Sequence, residues 1–248
     1  EQVDAVALAL HAGDANRGFV LADQTGLGKG RVLAACAVAA GLEGRRVVFM
    51  TEKANLFTDF WRDIADIGSE DAFGEPFMVN AGAKISDPVT GKPIHKAPKP
   101  KQREEAISSG ELPDSTNLCL VTYSQINQKA SKKAEFLKSV GDDAFVIADE
   151  CHNAVGDSNT SANAAGLFDR ASGVLFSSAT FASRAENMAA YAKLFPEGFM
   201  RADELSEVLA AGGAPLMEVL SQTLAEDGVL VRREHDLSGI ELEMRDDV

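Results

Sequence analysis

Short apolar runs alternate with helical patterns along most of this 248-residue chain. The apolar runs are rich in β-branched and aromatic residues and lack a polar face, which is typical of strands covered on both sides of a sheet. The predicted strands are residues 18–22, 46–51, 77–79, 118–122, 145–149, 174–177, 229–231 and 240–244. The predicted helices are residues 29–40, 57–67, 132–140 and 185–194, with a further helical stretch over 203–225 that breaks near Gly212, Gly213 and Pro215. This alternation predicts an α/β fold, mainly a parallel sheet with helices on both faces.

The stretch from about 80 to 116 departs from this pattern. It holds five of the eight prolines, and its basic residues are Lys84, Lys92, Lys96, Lys99, Lys101 and Arg103. Proline removes a backbone donor and fixes φ, so we predict a surface excursion rather than sheet for most of the stretch, with a short helix over 102–108. The basic series indicates either a solvated loop, which we favour, or a track for a nucleic-acid backbone.

Composition places the chain among ordinary globular proteins, with 45% hydrophobic and 25% charged residues. The formal net charge is −14, but it is unevenly distributed. Residues 1–140 carry 17 basic and 18 acidic side chains, whereas residues 141–248 carry 7 and 20. Affinity for nucleic acid comes mainly from Lys and Arg on phosphates, so only the second half argues against such a partner.

The chain shows no pattern of a membrane or secreted protein. Its longest apolar run, residues 32–40, is far short of the roughly 20 residues of a membrane-spanning helix. The cysteines at 36, 119 and 151 are scattered and odd in number, which predicts neither a disulfide framework nor a cysteine zinc site. We therefore expect an intracellular protein without a membrane partner, cytoplasmic if bacterial or phage. Because the chain begins at Glu1 rather than Met, we also expect a piece of a longer protein.

The strongest chemical signal is a glycine-rich turn between a predicted strand and a predicted helix. Glycines let successive N–H groups point at phosphate oxygens, the helix N-terminus adds partial positive charge, and Lys29 reaches the β- and γ-phosphates. The turn therefore predicts nucleotide binding. The candidate binding residues are Gln24, Thr25, Gly26, Leu27, Gly28, Lys29, Gly30 and Arg31.

This turn departs twice from the usual phosphate-binding loop. Asp23 replaces the first glycine, and Gly30 stands where Ser or Thr normally offers a hydroxyl to Mg²⁺. Water or Thr25 is the expected substitute for that hydroxyl. The other interpretation of the turn is a glycine-rich connection that carries a lysine by chance.

A second signal is an apolar strand that ends in Asp149-Glu150-Cys151-His152. Phosphoryl transfer needs a metal anchor and a group that orients the attacking water, and two adjacent carboxylates supply both. We predict that Asp149 holds Mg²⁺ through water, that Glu150 polarises the nucleophile and that His152 couples the nucleotide state to neighbouring motifs. Alone, such a pair is often a solvated loop.

A third signal, Ser177-Ser178-Ala179-Thr180, ends another apolar strand. We call Asp149-Glu150-Cys151-His152 the acidic box. The hydroxyls of Ser178 and Thr180 are candidates for hydrogen bonds to it and for a relay of the nucleotide state. Alone, this sequence is typical of a turn or a helix cap, and that interpretation carries more weight.

These motifs, in this order, resemble motifs I, II and III of a superfamily-two helicase. Gly28-Lys29-Gly30-Arg31, together with Arg232-Arg-Glu-His-Asp-Leu-Ser-Gly239, resembles more narrowly the strawberry notch group, which includes bacterial and phage methylase–helicase fusion proteins. In that group glycine follows the lysine normally. The resemblance implies a RecA-like P-loop domain that binds ATP and Mg²⁺.

The same resemblance assigns roles to further residues. Gln2 stands where such ATPases place an adenine-reading glutamine. Residues 51–61 and 122–125 resemble motifs that meet a nucleic-acid backbone, which implies nucleic-acid contacts for Lys53, Asn55, Tyr123 and Ser124, with DNA favoured over RNA. Helix capping and core packing are the competing interpretation of these two segments.

A helicase motor has two stacked lobes, and the second brings an arginine finger to the ATP. After Thr180 only 248 − 180 = 68 residues remain, too few for a second α/β lobe. We therefore expect residues 1–248 to be the first motor lobe of a nucleic-acid-dependent ATPase, weakly active without a second RecA-like lobe. The alternatives are a nucleotide-gated binding or assembly module without motor action, and another P-loop NTPase such as a small-molecule kinase.

Overall fold

The computed structural model describes residues 2–24, 26–156, 158–179, 185–196, 198–199 and 202–234. The strands are β1 (Gly18–Leu21), β2 (Val47–Thr51), β3 (Phe77–Met78), β4 (Lys84–Ser86), β5 (Pro93–Lys96), β6 (Leu118–Thr122), β7 (Phe145–Asp149), β8 (Gly173–Ser177) and β9 (Leu230–Val231). The helices are α1 (Gln2–Asp14), α2 (Lys29–Leu42), α3 (Leu56–Ile67), α4 (Pro100–Ser109), α5 (Lys132–Val140), α6 (Asn159–Phe168) and α7 (Ala202–Glu226). Seven predicted strands are present within one residue of their bounds, and the eighth, 240–244, lies outside the described residues.

Seven strands form one parallel sheet in the order β3-β6-β2-β7-β8-β1-β9. The chain crosses the sheet in one direction from β1 through β2 to β3, and returns from β6 through β7 to β8. Since parallel crossovers are right-handed, α2 and α3 cover one face, and α5 and α6 cover the other. The predicted α/β fold with helices on both faces is confirmed.

The core lies between the sheet and these helices. Every residue of β1, β2, β6 and β8 is buried, which explains why these strands are continuously apolar rather than alternating. Phe49 of β2 stacks on Phe60 of α3, with ring centroids 3.9 Å apart. Each fully buried side chain of this size contributes about 1.5–3 kcal/mol to stability.

Three segments differ from the sequence prediction. Helices α1 and α6 were not predicted. α1 is rich in Ala, Val and Leu, α6 is rich in Ala and Asn, and both give a weak amphipathic pattern. Residues 185–194, predicted as an α-helix, form a 3₁₀ segment with a non-helical residue, Tyr191, inside it. Tyr191 packs edge-on against Phe176 of β8, so a tertiary contact accompanies the departure from helical geometry.

The proline-rich stretch is less irregular than predicted. Strands β4 and β5 pair as an antiparallel hairpin outside the main sheet, and Ile85 is buried beneath it. The predicted short helix is present as α4, with Pro100 in its first turn, where a missing N–H costs nothing. Most of the basic residues remain exposed on this hairpin and helix.

Helix α7 contains the predicted break. Gly213 has a φ of 61° inside it, and Pro215 follows. By length and composition alone, Glu204–Glu226 is long and apolar enough to cross a membrane. Leu205, Leu209 and Leu224 of this helix are buried against the domain. The absence of a membrane partner stays a prediction.

Candidate functional site

The carboxyl ends of the parallel strands meet at one edge of the sheet, where ligands of α/β proteins usually bind. The strand register aligns Leu21 of β1, Ser177 of β8 and Asp149 of β7 in one row. Because neighbouring strands are about 4.8 Å apart, the ends of β1 and β7 are about 10 Å apart. The glycine-rich turn follows β1 and Glu150 follows β7, so both motifs extend from the same edge.

The glycine-rich turn has the backbone conformation that its glycines allow. Gly26 and Gly28 have φ values of 90° and 81°, in the left-handed region that glycine enters without strain. Lys29 begins α2, and its Nζ donates to the carbonyl oxygen of Asp23 at 2.8 Å. The ammonium group is therefore held across the turn.

Gln2 reaches the same turn from the first turn of α1. Its Nε2 donates to the carbonyl oxygen of Leu27 at 3.4 Å, and a side chain at Gly28 would overlap this amide. The structure thus brings Gln2 against the predicted phosphate loop, while its adenine-reading role stays a prediction. Gln24 is exposed, and Thr25 lies outside the described residues.

Gly30 lacks a side chain because Asp63 of α3 occupies the adjacent space. A Cβ atom on Gly30 would overlap the Asp63 carboxylate. Arg31 joins the same two helices: its Nε lies 3.6 Å from Asp63 Oδ1, and its Nη2 lies 2.7 Å from Asp66 Oδ2. Burial raises the pKa of Asp63 above its ordinary value. Close packing of α2 on α3 therefore explains the glycine at this position.

Gly30→Thr, which restores the usual loop residue, is expected to destabilise the domain. The added atoms would overlap the end of the Asp63 side chain, which must turn away from Arg31, and the loss of this ion pair costs about 1 kcal/mol or less. Gly30→Thr/Asp63→Ala should recover most of this loss, because removal of the carboxylate opens the space. Urea unfolding measures both changes. The matched control is Gly30→Thr/Asp66→Ala, and equal recovery in the control would contradict the overlap with Asp63.

Hydroxyl groups from two neighbouring strands hold the carboxylate of Asp149. Thr51, at the end of β2, donates to Asp149 Oδ2 at 3.0 Å, and Ser177, at the end of β8, donates to Oδ1 at 3.3 Å. Burial raises the pKa of Asp149, the Thr51 and Ser177 bonds oppose the rise, and neighbouring Glu150 adds to it. The side chain is thus oriented at the sheet edge by residues on both sides.

Thr51→Val is expected to make Mg²⁺-dependent nucleotide binding more sensitive to acid. A carboxylate binds Mg²⁺ in its ionised form, so binding is complete above the pKa of Asp149 and is lost as the pH falls through it. Loss of the Thr51 bond raises this pKa further, and binding then declines from a higher pH. Nucleotide titrations with and without Mg²⁺, from neutral to mildly acidic pH, measure the difference.

Thr122→Val is the matched control for this experiment. Thr122 is the register partner of Thr51 on β6, but it accepts a hydrogen bond from Asn80 at 2.8 Å instead of contacting Asp149. It should leave the acid sensitivity unchanged. The same shift in both variants would contradict a specific effect of the Thr51 hydrogen bond on Asp149.

Glu150 has a strained backbone, and its carboxylate lies close to His152. Its φ is 48°, a left-handed conformation that costs a non-glycine residue about 1–3 kcal/mol and is frequent at functional sites. Its Oε2 lies 3.3 Å from Nδ1 of His152, and Ser178 Oγ lies 3.2 Å from the same nitrogen. Glu150, His152 and Ser178 therefore form a chain of contacts between the ends of β7 and β8. Thr180 lies outside the described residues.

Tyr123 is buried rather than exposed at the sheet edge, and its contact with a nucleic-acid backbone stays a prediction. Its side chain is 4% exposed, and its hydroxyl donates to the carbonyl oxygen of Asp149 at 2.8 Å. Nearby, Cys151 Sγ lies 3.3 Å from the Tyr191 hydroxyl, and burial raises the pKa of Cys151 to about 12. These side chains support the acidic box from within the core.

The other residues with predicted nucleic-acid contacts lie on the surface. Lys53 and Asn55 follow β2, Ser124 follows β6, and all three are exposed. The Lys53 side chain is 67% exposed. Asn55 makes no side-chain cap bond to α3, so capping does not account for it. The contacts of these three residues with nucleic acid stay predictions.

Four residues outside the predicted set contact the site. Thr51 and Ser177 carry a recognisable signal, since each is a polar residue that ends an apolar strand. Asp63 and Arg233 do not, because their charges resemble those of any surface residue until the packing of α3 and of the chain after β9 is known. Arg233 forms an ion pair with Asp23 of the glycine-rich turn.

Three relatives resemble this chain along most of its length. Protein strawberry notch homolog 2 of Mus musculus is 27% identical over 235 residues, and that of Homo sapiens is 26% identical over 235 residues; each comparison covers 90% of this chain and 16% of the relative. Protein strawberry notch homolog 1 of Gallus gallus is 26% identical over 241 residues, covering 90% and 18%. The chain thus spans less than a fifth of these relatives.

Solved structures with the same fold include the Sulfolobus solfataricus SWI2/SNF2 ATPase core in complex with dsDNA. Its TM-score is 0.60 at 12% identity, over 94% of this chain and 43% of that chain. The SWI2/SNF2 ATPase core domain of the same organism gives 0.60 at 13% identity, over 94% and 42%. These similarities confirm a RecA-like P-loop fold.

The glycine-rich turn and the acidic box both lie within a family match that covers nearly the whole chain. The match, to P-loop containing NTP hydrolase pore-1, extends over residues 5–247. The resemblance to a strawberry notch-type helicase lobe is confirmed by this match together with the strawberry notch relatives. The chain belongs to the P-loop containing NTP hydrolase pore-1 family.

Proposed function

We propose that this chain is the ATP-binding motor lobe of a DNA-dependent ATPase, a helicase or translocase that acts with a second RecA-like lobe. The register that puts Leu21, Ser177 and Asp149 in one row carries the proposal. This register places the phosphate loop and the acidic box at the same edge of the sheet. The ends of β1 and β7 are about 10 Å apart, a distance that a triphosphate with its metal can span.

The polar edge of the sheet fits Mg²⁺ delivered with the nucleotide. Mg²⁺ is usually held by one or two carboxylates together with phosphate oxygens and water. Asp149 offers an oriented carboxylate, and the described residues contain no cluster of three or more His, Cys, Asp or Glu side chains for a metal. Phosphates and water would therefore supply the other ligands. When bound, Mg²⁺ neutralises charge on the β- and γ-phosphate oxygens.

The residues of the chain then divide the remaining tasks. Backbone N–H groups of the glycine-rich turn bind the phosphates, and Lys29 exchanges its bond to the Asp23 carbonyl for the β- and γ-phosphates. Gln2, already against the turn, reads the adenine. Glu150 orients the attacking water and takes its proton. The contact of His152 with Ser178 links this step to the end of β8.

Contact with DNA is proposed at the same sheet edge. Lys53, Asn55 and Ser124 are exposed beyond β2 and β6, on the side of the acidic box away from β1. Cationic and hydroxyl side chains of this kind bind phosphate oxygens of a nucleic-acid backbone. The related fold of the SWI2/SNF2 core was solved with dsDNA, which favours DNA as the partner.

A steady-state ATPase assay with and without duplex DNA tests the proposal. The chain is expected to bind nucleotide but to hydrolyse it slowly, because an arginine finger from a second lobe is worth about 10³-fold or more in rate. An RNA duplex of the same sequence serves as the control polymer. Brisk hydrolysis that needs no DNA and survives Glu150→Gln would refute the motor-lobe assignment.

A further inference from the structure

Asp23 is a buried acid inside the predicted phosphate loop. Its side chain is 0% exposed, and it occupies the position where the usual loop has glycine. An unpaired carboxylate at this place would disfavour binding of a triphosphate, because like charges repel each other strongly where water is excluded. A cation that offsets this charge, in addition to the Lys29 ammonium, would therefore favour nucleotide binding.

Arg233 supplies that cation from the end of the chain segment that follows β9. Its Nε lies 3.0 Å from both Asp23 carboxylate oxygens, and its Nη2 also contacts Asp23 Oδ2. Its backbone N–H donates to Asp23 Oδ1 at 2.9 Å. The Arg233 side chain is 19% exposed, so the pair is largely shielded from water and from screening by salt.

Backbone hydrogen bonds also join the segment after β9 to the phosphate loop. β9 pairs in parallel with β1, and beyond the strand ends the Gln24 N–H donates to the Arg233 carbonyl oxygen at 3.0 Å. On its other side, Asp23 accepts the Lys29 ammonium through its own carbonyl oxygen. Asp23 thus connects the segment after β9 with the lysine that is proposed to reach the phosphates.

We infer that Arg233 is a positioning residue that enables nucleotide binding by neutralising Asp23, so that docking of the segment Leu230 to Glu234 on β1 controls the phosphate loop. The inference rests on the proposed nucleotide site. When the segment is docked, the Asp23 carboxylate is neutralised by Arg233, and the positive charge of Lys29 is left for the phosphates. When it is not, a bare carboxylate repels them. By linkage, bound nucleotide stabilises the docked segment to the same extent.

A set of charge variants tests this inference by nucleotide titration of the chain. Arg233→Ala should weaken binding by about tenfold or more, because it leaves the buried charge of Asp23 uncompensated. Asp23→Asn should not weaken binding, because Arg233 then keeps its positive charge beside the loop. Asp23→Asn/Arg233→Ala should bind close to wild type. Arg233→Lys, which keeps the charge without the planar fork, should retain most of the affinity.

The order of these affinities separates an electrostatic role from a merely structural one. A structural ion pair predicts affinity losses for both single variants, Asp23→Asn included, that follow their thermal unfolding. If Arg233→Ala does not fold, Asp23→Asn, the double variant and Arg233→Lys still decide the question. Weak binding by Asp23→Asn, or by the double variant, overturns the inference.

Arg232→Ala is the matched control, because Arg232 is 61% exposed and pairs with Glu234 rather than with the loop. It should leave affinity unchanged, and equal losses in Arg232→Ala and Arg233→Ala would overturn the inference. Hydrogen exchange gives an independent readout: nucleotide should protect the amide of Ala22, which bonds to the Val231 carbonyl oxygen of the docked segment. If wild type binds no nucleotide at all, the proposed function fails; if it binds and the charge variants behave alike, the inference alone fails.

Discussion

Lys29→Ala is expected to reduce nucleotide affinity by about 10²–10⁴-fold while leaving the domain folded. Hydrogen bonds to charged groups are worth about 1.5–3 kcal/mol each, and an ammonium that reaches two phosphates makes at least two. In the structure the Lys29 side chain donates to the Asp23 carbonyl oxygen, a partly buried contact. The free energy of unfolding should therefore fall by about 1 kcal/mol or less. Calorimetric titration measures affinity, and thermal unfolding measures stability.

Lys53→Ala provides the comparison for Lys29. Lys53 carries the same charge and is exposed at the same sheet edge, but it follows β2 rather than entering the phosphate loop. It should leave nucleotide affinity unchanged and weaken only DNA binding. Equal affinity of wild type and Lys29→Ala would exclude the glycine-rich turn as the nucleotide site.

Glu150→Gln is expected to lower the rate of DNA-stimulated ATP hydrolysis by about 10²–10⁴-fold, the usual contribution of a positioned acid–base group. The amide has nearly the same shape, but it cannot accept a proton from water. Nucleotide affinity should remain, because Asp149 is the proposed metal anchor. Single-turnover hydrolysis with matched binding measurements separates the two steps.

Glu135→Gln is the control for Glu150. Glu135 is an exposed residue of α5 that pairs with Lys138, away from the sheet edge. Glu135→Gln should change neither nucleotide binding nor the rate of hydrolysis. Hydrolysis by Glu150→Gln at the wild-type rate would remove this residue from the catalytic role and leave the acidic box with metal binding alone.

Much of the fold was predictable from local patterns. The central strands are largely apolar because both faces of the sheet are covered. Such runs can be recognised in the sequence before the neighbouring strands are known. Prediction was wrong where a tertiary contact decided the geometry, as at Tyr191, whose ring packs on Phe176 and whose hydroxyl meets Cys151. It missed α1 and α6 because alanine-rich and polar helices carry little periodic contrast.

The candidate site divides in the same way. Lys29, Asp149 and Glu150 were predicted because strand-end motifs place specific chemistry at specific positions. Tyr123 and Ser124 look alike in sequence as neighbouring polar residues at a strand end, although the first faces the core and the second faces solvent. Only packing distinguishes them.

By itself, the sequence determined the parallel α/β architecture, the phosphate loop and the acidic box, since these depend on residues close together in the chain. The tertiary structure decided what surrounds them: Thr51 and Ser177 on Asp149, Asp63 beside Gly30, and Arg233 on Asp23, 210 residues apart. Contacts over such separations depend on strand order and helix packing, which set the distances and leave no periodic trace in the chain.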